Sequence, residues 1–142
     1  MSVEENRRVV LKFIEAMTIQ DYEMLADIFA EDFQWIIPAR SDAMKSIVTH
    51  RSKAYSIDRM RANRVLMKDG MKLTPFAWTC EGDRVAVECE GSVVWNNGKS
   101  YNNLYHLAFV IRDGKIASLT EYCDFLYAYE TNPLHDPSAK KA

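Results

Sequence analysis

The chain has 142 residues, of which 48% are hydrophobic and 27% charged, with a formal net charge of −2. This is the profile of one globular domain, long enough to bury a core without disulfide or metal staples. It excludes a broadly basic nucleic-acid binder and a surface drawn to anionic membranes, since either partner demands concentrated positive charge. The opening Met1-Ser-Val-Glu-Glu-Asn-Arg-Arg8 has no apolar leader core, and no apolar run is long enough to span a bilayer, so a cytoplasmic protein is expected.

Ser2 followed by Glu5 has the form of a capping box, which predicts a helix start. Val10, Phe13, Ile14 and Met17 then recur at the spacing of one helical face. Asp21 can cap a second, shorter helix in which Tyr22, Leu25 and Phe29 share a face. Phe33 to Ile37 reads as a short strand stopped by Pro38. From about Ser41 to Lys68 the chain contains neither proline nor glycine and reads as a helix, imperfect in its apolar pattern and open to a break near Thr49-His50, with Asp69-Gly70 as its stop.

The remainder reads as a meander of four strands. Met71 to Cys80 turns at Glu81-Gly-Asp83, and Arg84 to Trp95 turns at Asn96-Asn97-Gly98. The hairpin spanning residues 99–125 turns at Asp113-Gly114, a dipeptide that tolerates the positive φ angles of a tight hairpin. Four strands in succession with short turns must pair antiparallel. Phe125 to Glu130 reads as a last turn or strand end, and Thr131 to Ala142 as a loose tail. The expected domain therefore occupies residues 1–130, α+β in class, with helices first and the sheet after them. Both faces of the two central strands carry apolar residues, so one face should meet the helices and the outer one a second copy, giving a homodimer. Cys80, Cys89 and Cys123, odd in number and without CxxC spacing, read as reduced thiols, with no metal site.

With that order of elements, the segments Arg84-Val-Ala-Val-Glu88, Tyr101-Asn-Asn-Leu-Tyr105, Arg112-Asp-Gly-Lys-Ile116 and Glu121-Tyr-Cys-Asp124 make the chain resemble the SnoaL-like branch of the nuclear transport factor 2-like superfamily, which also holds ketosteroid isomerase-related proteins. The resemblance spans roughly residues 4 to 128. It implies a cone-like fold in which a curved antiparallel or mixed sheet wraps the N-terminal helices around an apolar pocket. It also implies chemistry without metal or organic cofactor. The three catalytic positions of true ketosteroid isomerases fall on Ile37, Phe13 and Leu107, all apolar, which argues against that mechanism. The two aspartates and bridging arginine of limonene epoxide hydrolase-like members are also missing, since Asn103 and Tyr105 stand where such a pair would be sought. Asp124 matches the recurrent aspartate at the end of the last strand, the residue on which SnoaL-like cyclases rely.

Strand alternation refines the candidates. Asn103, Tyr105, Leu107 and Phe109 share a face, which the family resemblance places inside, and Thr120, Tyr122 and Asp124 share one face. An inward aspartate in apolar surroundings has its pKa raised toward usefulness. Asp124, Tyr105 and Asn103 are therefore the catalytic candidates, against the plainer reading of Asp124 as a strand-end carboxylate. Trp35, Tyr122, Phe13, Met17 and Met60 are ligand-contact candidates, although core packing alone would account for the aromatic and Met residues among them. His106 has a pKa suited to proton transfer near neutrality, but alternation puts it outside unless the register slips by one. Arg51, Lys53, Arg59, Arg61 and Arg64 form one basic cluster, readable as a solvated helix face, although one of them could meet an anionic group on a small ligand.

The function expected from these residues is cofactor-independent proton transfer on a small, largely apolar molecule, of isomerase, cyclase, dehydratase or hydrolase type. The alternative is a non-catalytic small-molecule-binding or dimeric assembly module of the same fold, with neither nucleic acid nor membrane as partner.

Overall fold

The computed structural model describes residues 1–135. Helix α1 (Val3–Ile19) begins with the capping box in place: the Ser2 backbone N–H donates to Glu5 Oε2 at 2.6 Å and the Glu5 N–H to Ser2 Oγ at 3.1 Å. Val10, Phe13 and Ile14 are buried along its inner face. Gln20, at φ 58°, ends it in the left-handed region, and Asp21 caps α2 (Tyr22–Ile28) by accepting from the Met24 N–H at 2.9 Å. Phe29 leaves the helix expected of it and starts β1 (Phe29–Ile36), where its ring stacks on Phe33 with centroids 3.8 Å apart. That pair, two residues of a strand doubled back on the α1 core, outweighs the local helical pattern.

The long helix expected over residues 41–68 is a shorter one with different flanks. A 3-10 turn spans Asp42–Met44, strand β2 (His50–Ser52) pairs antiparallel with β1, and only Lys53–Asn63 forms α3, followed by a 3-10 turn at Arg64–Leu66. Ser52 is the physical boundary, because its Oγ accepts from the Tyr55 N–H at 3.2 Å and caps α3 there. Gly70, at φ +73°, makes the turn out of this segment.

Strands β3 (Lys72–Glu81), β4 (Arg84–Val94), β5 (Ser100–Arg112) and β6 (Lys115–Cys123) run as successive antiparallel neighbours. β6 also pairs in parallel with β1, giving an open, curved, mixed sheet of order β2-β1-β6-β5-β4-β3. The core lies between the concave face and α1, where Phe13 meets Phe109 edge-on at 5.2 Å and Trp35 at 5.9 Å. The segment after β6, open between turn and strand end in the sequence, is helix α4 (Phe125–Thr131). Of the expected tail, residues 133–135 form a 3-10 turn and 136–142 lie outside the described residues. Among the described residues no helix is long and apolar enough to cross a membrane.

Candidate functional site

Between α1, α3 and the concave face of the sheet lies a cavity of about 230 Å³. Phe13 and Met17 of α1, Met60 of α3, Trp35 of β1 and Leu107 of β5 supply apolar wall, and Glu121, Tyr101, Tyr105, Arg51 and Arg59 supply its polar groups. A second cavity of about 270 Å³, bounded by the 37–48 segment and α4, adjoins it through shared lining residues that include Arg51, Arg59, Asn63 and Glu121. Largely apolar walls with a few converging polar groups are what small-molecule sites are made of.

Glu121 is the carboxylate of this site. Its Oε2 accepts from the indole Nε1–H of Trp35 at 2.8 Å, a bond set by the parallel register that places Trp35 beside Leu119. Burial raises the Glu121 pKa above the ordinary carboxylate value, and the Trp35 hydrogen bond and the Arg51 charge offset part of that rise. Arg51 sits opposite Trp35 in the β1–β2 ladder. Burial lowers its pKa and the Glu121 charge works against that shift. The Arg51 Nε–H is committed to the Val48 carbonyl at 2.9 Å.

On β5 an ordered chain of donors leads to the cavity. Asn103 Nδ2 donates to the Tyr101 hydroxyl at 2.9 Å and to the Asp124 backbone carbonyl at 3.0 Å, while the Tyr101 and Tyr105 hydroxyls are 2.5 Å apart. With Asn103 donating into Tyr101, the Tyr101 proton is free to point to Tyr105, whose own proton then points onward. Burial pushes the Tyr101 pKa up to about 12 against its hydrogen bonds with Tyr105 and Asn103, and raises that of Tyr105 as well, so both phenols stay protonated at neutral pH. Gly91 makes room for this pair, since a Cβ there would lie 2.7 Å from the Tyr105 ring.

The model of the SnoaL-like domain family matches residues 10–119. The chain belongs to that family. Solved structures share the fold of this SnoaL-like domain. An NTF2-like protein from Burkholderia pseudomallei is 20% identical with a TM-score of 0.78, over 94% of this chain and 99% of that one. TerC, co-crystallised with polyporic acid, is 20% identical with a TM-score of 0.73, over 86% and 93%. IdmH from Streptomyces antibioticus, a candidate polyketide cyclase, is 20% identical with a TM-score of 0.72, over 86% and 94%. Identities this low show the fold alone. No functionally curated protein matches the chain.

Of the expected site residues, the SnoaL-like domain brings Phe13, Met17, Trp35, Met60 and Tyr105 to the cavity wall, with Asn103 behind them holding Tyr101. The expected inward placement of Tyr122 and Asp124 is corrected. Tyr122 is 49% exposed on the outer face. Asp124 is exposed at the N-cap of α4, where its carboxylate accepts from the Tyr127 N–H at 3.0 Å. The cause is a bulge: Val110 pairs with Ser118 but Ile111 with Ile116, so β6 holds one extra residue. Alternation counted from buried Ile116 points Tyr122 and Asp124 inward; past the bulge, Leu119, Glu121 and Cys123 face inward instead. His106, retained as a ligand candidate for a slipped register, is exposed on the outer face opposite Glu88 and Tyr122.

Glu121 and Tyr101 are the functional candidates that sequence reasoning missed, and Leu119 as the anchor of the β6 alternation was the signal that would have found Glu121. The basic cluster divides: Lys53 and Arg61 pair with Glu31 and Glu23 at 2.6 and 2.9 Å, and Arg51 and Arg59 line the cavities. Among the described residues, no group of three His, Cys, Asp or Glu side chains could hold a metal ion.

Proposed function

We propose that this SnoaL-like domain binds a small, largely apolar carbonyl compound and moves a proton on it, with Glu121 as the acid/base and Tyr105 as the donor to the substrate oxygen. Glu121 takes a proton from the carbon next to the carbonyl, and the C–H electron pair becomes the C=C bond of an enolate. The displaced carbonyl electrons collect on oxygen, where the Tyr105 O–H, backed by Tyr101 and Asn103, stabilises them. Return of the proton to a different carbon completes an isomerisation. Attack of the enolate on a second carbonyl of the same molecule, followed by protonation of the new alkoxide, completes a cyclisation.

The observation that carries this reading is a carboxylate of raised pKa held by Trp35 in an apolar cavity that also receives a polarised phenol. Family membership and the fold shared with a candidate polyketide cyclase support it.

The test is deuterium exchange at the α-carbons of a panel of bicyclic aromatic ketones, followed by NMR. Wild type should exchange at least one member above buffer, with Glu121→Gln abolishing the exchange and Tyr105→Phe slowing it. Exchange unaffected by Glu121→Gln would remove the basis for this role. A specific observation favours a second, non-catalytic reading: Trp35 and Arg51 already engage the carboxylate. Ligands that bind without any exchange would support it.

We propose in addition that two copies pair through the outer sheet face. Leu104 and Tyr122 are 61% and 49% exposed there, in register with a row formed by Glu88, Glu90 and His106.

A further inference from the structure

The charges where the two cavities meet do not balance. Arg51 and Arg59 both line both cavities, and Glu121 is the acidic side chain they share. The guanidiniums are close enough for the Arg59 charge to act against that of Arg51. Arg59 makes no ion pair among the described residues, whereas its neighbours in the same cluster, Lys53 and Arg61, are each matched to a glutamate. Its direction follows from helical spacing. Ser56, Arg59, Met60 and Asn63 occupy the face of α3 that lines the cavity.

A second, independent observation concerns neutral groups. Ser56 is 2% exposed and Trp95 7% exposed; both line the inner cavity, and Ser56 Oγ and Trp95 Nε1 have no hydrogen-bond partner within the protein. Buried polar atoms are normally satisfied, and these two unmatched ones belong to residues that line the inner cavity. Around them the inner wall is Phe13, Leu73 and Leu107, and the outer chamber adds Ile37, Ile47 and Phe125. The inner cavity thus offers an apolar chamber and the outer one a more polar chamber, with a cationic waist between them.

We infer that the ligand is an aromatic or polycyclic acid, its singly charged anionic oxygen group seated at the waist between Arg51 and Arg59 and its rings in the inner chamber. This rests on the cavity being a small-molecule site and is independent of whether Glu121 transfers a proton. Arg59 is the specificity residue: its guanidinium can pair with an oxyanion through two N–H groups, which a neutral ligand would leave unmatched.

The experiment uses two probes with one ring system, 8-anilino-1-naphthalenesulfonate, which is anionic, and N-phenyl-1-naphthylamine, which is neutral. Affinities are measured by fluorescence titration against wild type, Arg59→Gln and Met60→Trp. Wild type should bind the anionic probe about tenfold more tightly than the neutral one, with the preference shrinking as salt is added. Arg59→Gln should remove most of that preference, by weakening the anionic probe far more than the neutral one. Met60→Trp, which fills the inner chamber, should weaken both. Equal affinity for the two probes in wild type would overturn the inference, as would no binding of the anionic probe, or Arg59→Gln leaving the preference intact. Failure of the acid/base role is read separately, as exchange that survives Glu121→Gln, and would leave these affinity ratios untouched.

Discussion

The Trp35 indole and the Glu121 carboxylate, 86 residues apart in sequence, meet in a 2.8 Å hydrogen bond that joins β1 to β6 at the cavity wall. The bond stabilises the ionised carboxylate against the burial that opposes ionisation. Trp35→Phe keeps an aromatic ring against Phe13 and Phe33 but removes the donor. The Glu121 pKa should then rise further, moving the basic form, and with it the pH profile of exchange, toward higher pH. Stability should fall by about 1–3 kcal/mol, the usual cost of leaving a buried acceptor unpaired. Denaturant melts and a pH–rate profile check both effects; an unmoved profile would mean that the bond does not tune the carboxylate.

The same carboxylate gives stability a slope in pH. Its folded-state pKa is raised above the ordinary value of 4.5, so between those two values the folded chain binds more protons than the unfolded one. Stability is then highest below the ordinary value and declines as pH rises through the folded-state pKa. Glu121→Gln has no proton to lose. The melting temperature of wild type relative to Glu121→Gln should therefore decrease with rising pH across this window, all other groups cancelling in the comparison. A difference that stays constant with pH would contradict the raised pKa.

How far the sequence could be read depended on which forces were local. The alternation of β5 was legible because Tyr101, Asn103, Tyr105, Leu107 and Phe109 are all buried, without a break in their spacing. The capping box at Ser2 and the hairpin turn at Asp113, φ 51°, followed by Gly114, φ 72°, are equally local in origin. β6 defeated the same reasoning through one inserted residue, since Ile116 and Leu119 anchor opposite parities, and the pairing with Val110 and Ile111 shows where the bulge switches between them. Likewise β2 has little strand character of its own. Its three residues are extended because β1 offers them a partner, and that long-range contact is what carries Arg51 to the cavity.

Gly91 poses a choice between opposing effects. Replacing a strand glycine by alanine ordinarily stabilises by about 0.5–1 kcal/mol through lost unfolded-state freedom. Here the new methyl would stand 2.7 Å from a Tyr105 ring carbon and 3.1 Å from the flexible Met71 sulfur. The rigid ring decides the sign, and Gly91→Ala should destabilise by about 1–3 kcal/mol while parting the Tyr105 and Tyr101 hydroxyls. In a Tyr105→Leu background the same substitution should cost less, a coupling that a double-mutant cycle of chemical melts would measure. Additive effects would mean that the clash is relieved elsewhere.

Leu104 and Tyr122 test the outer face. A charge at Leu104, introduced as Leu104→Glu beside Glu90 in the β4–β5 ladder, should be tolerated by an isolated domain and should repel its like across a two-fold interface. Light scattering after size exclusion should give twice the chain mass for wild type and the single-chain mass for Leu104→Glu. A wild-type mass of one chain, or a dimer that survives the substitution, would sink the proposed pairing.

Asp124 separates a capping role from a cavity role. Its carboxylate accepts from the Tyr127 N–H at the first turn of α4, while Asn103 reaches only its backbone carbonyl. Asparagine caps a helix about as well as aspartate, and alanine does not. Asp124→Asn should thus leave stability nearly unchanged, and Asp124→Ala should cost about 0.5–2 kcal/mol. Because Tyr127 stacks on Tyr101 at 5.3 Å, fraying of α4 in the alanine variant should also loosen the cover over the tyrosine pair, seen as faster amide exchange in 125–131. The asparagine variant should exchange protons on substrate at the wild-type rate. Loss of exchange activity in Asp124→Asn with the melt unchanged would return the acid/base role to Asp124 and displace Glu121 from it.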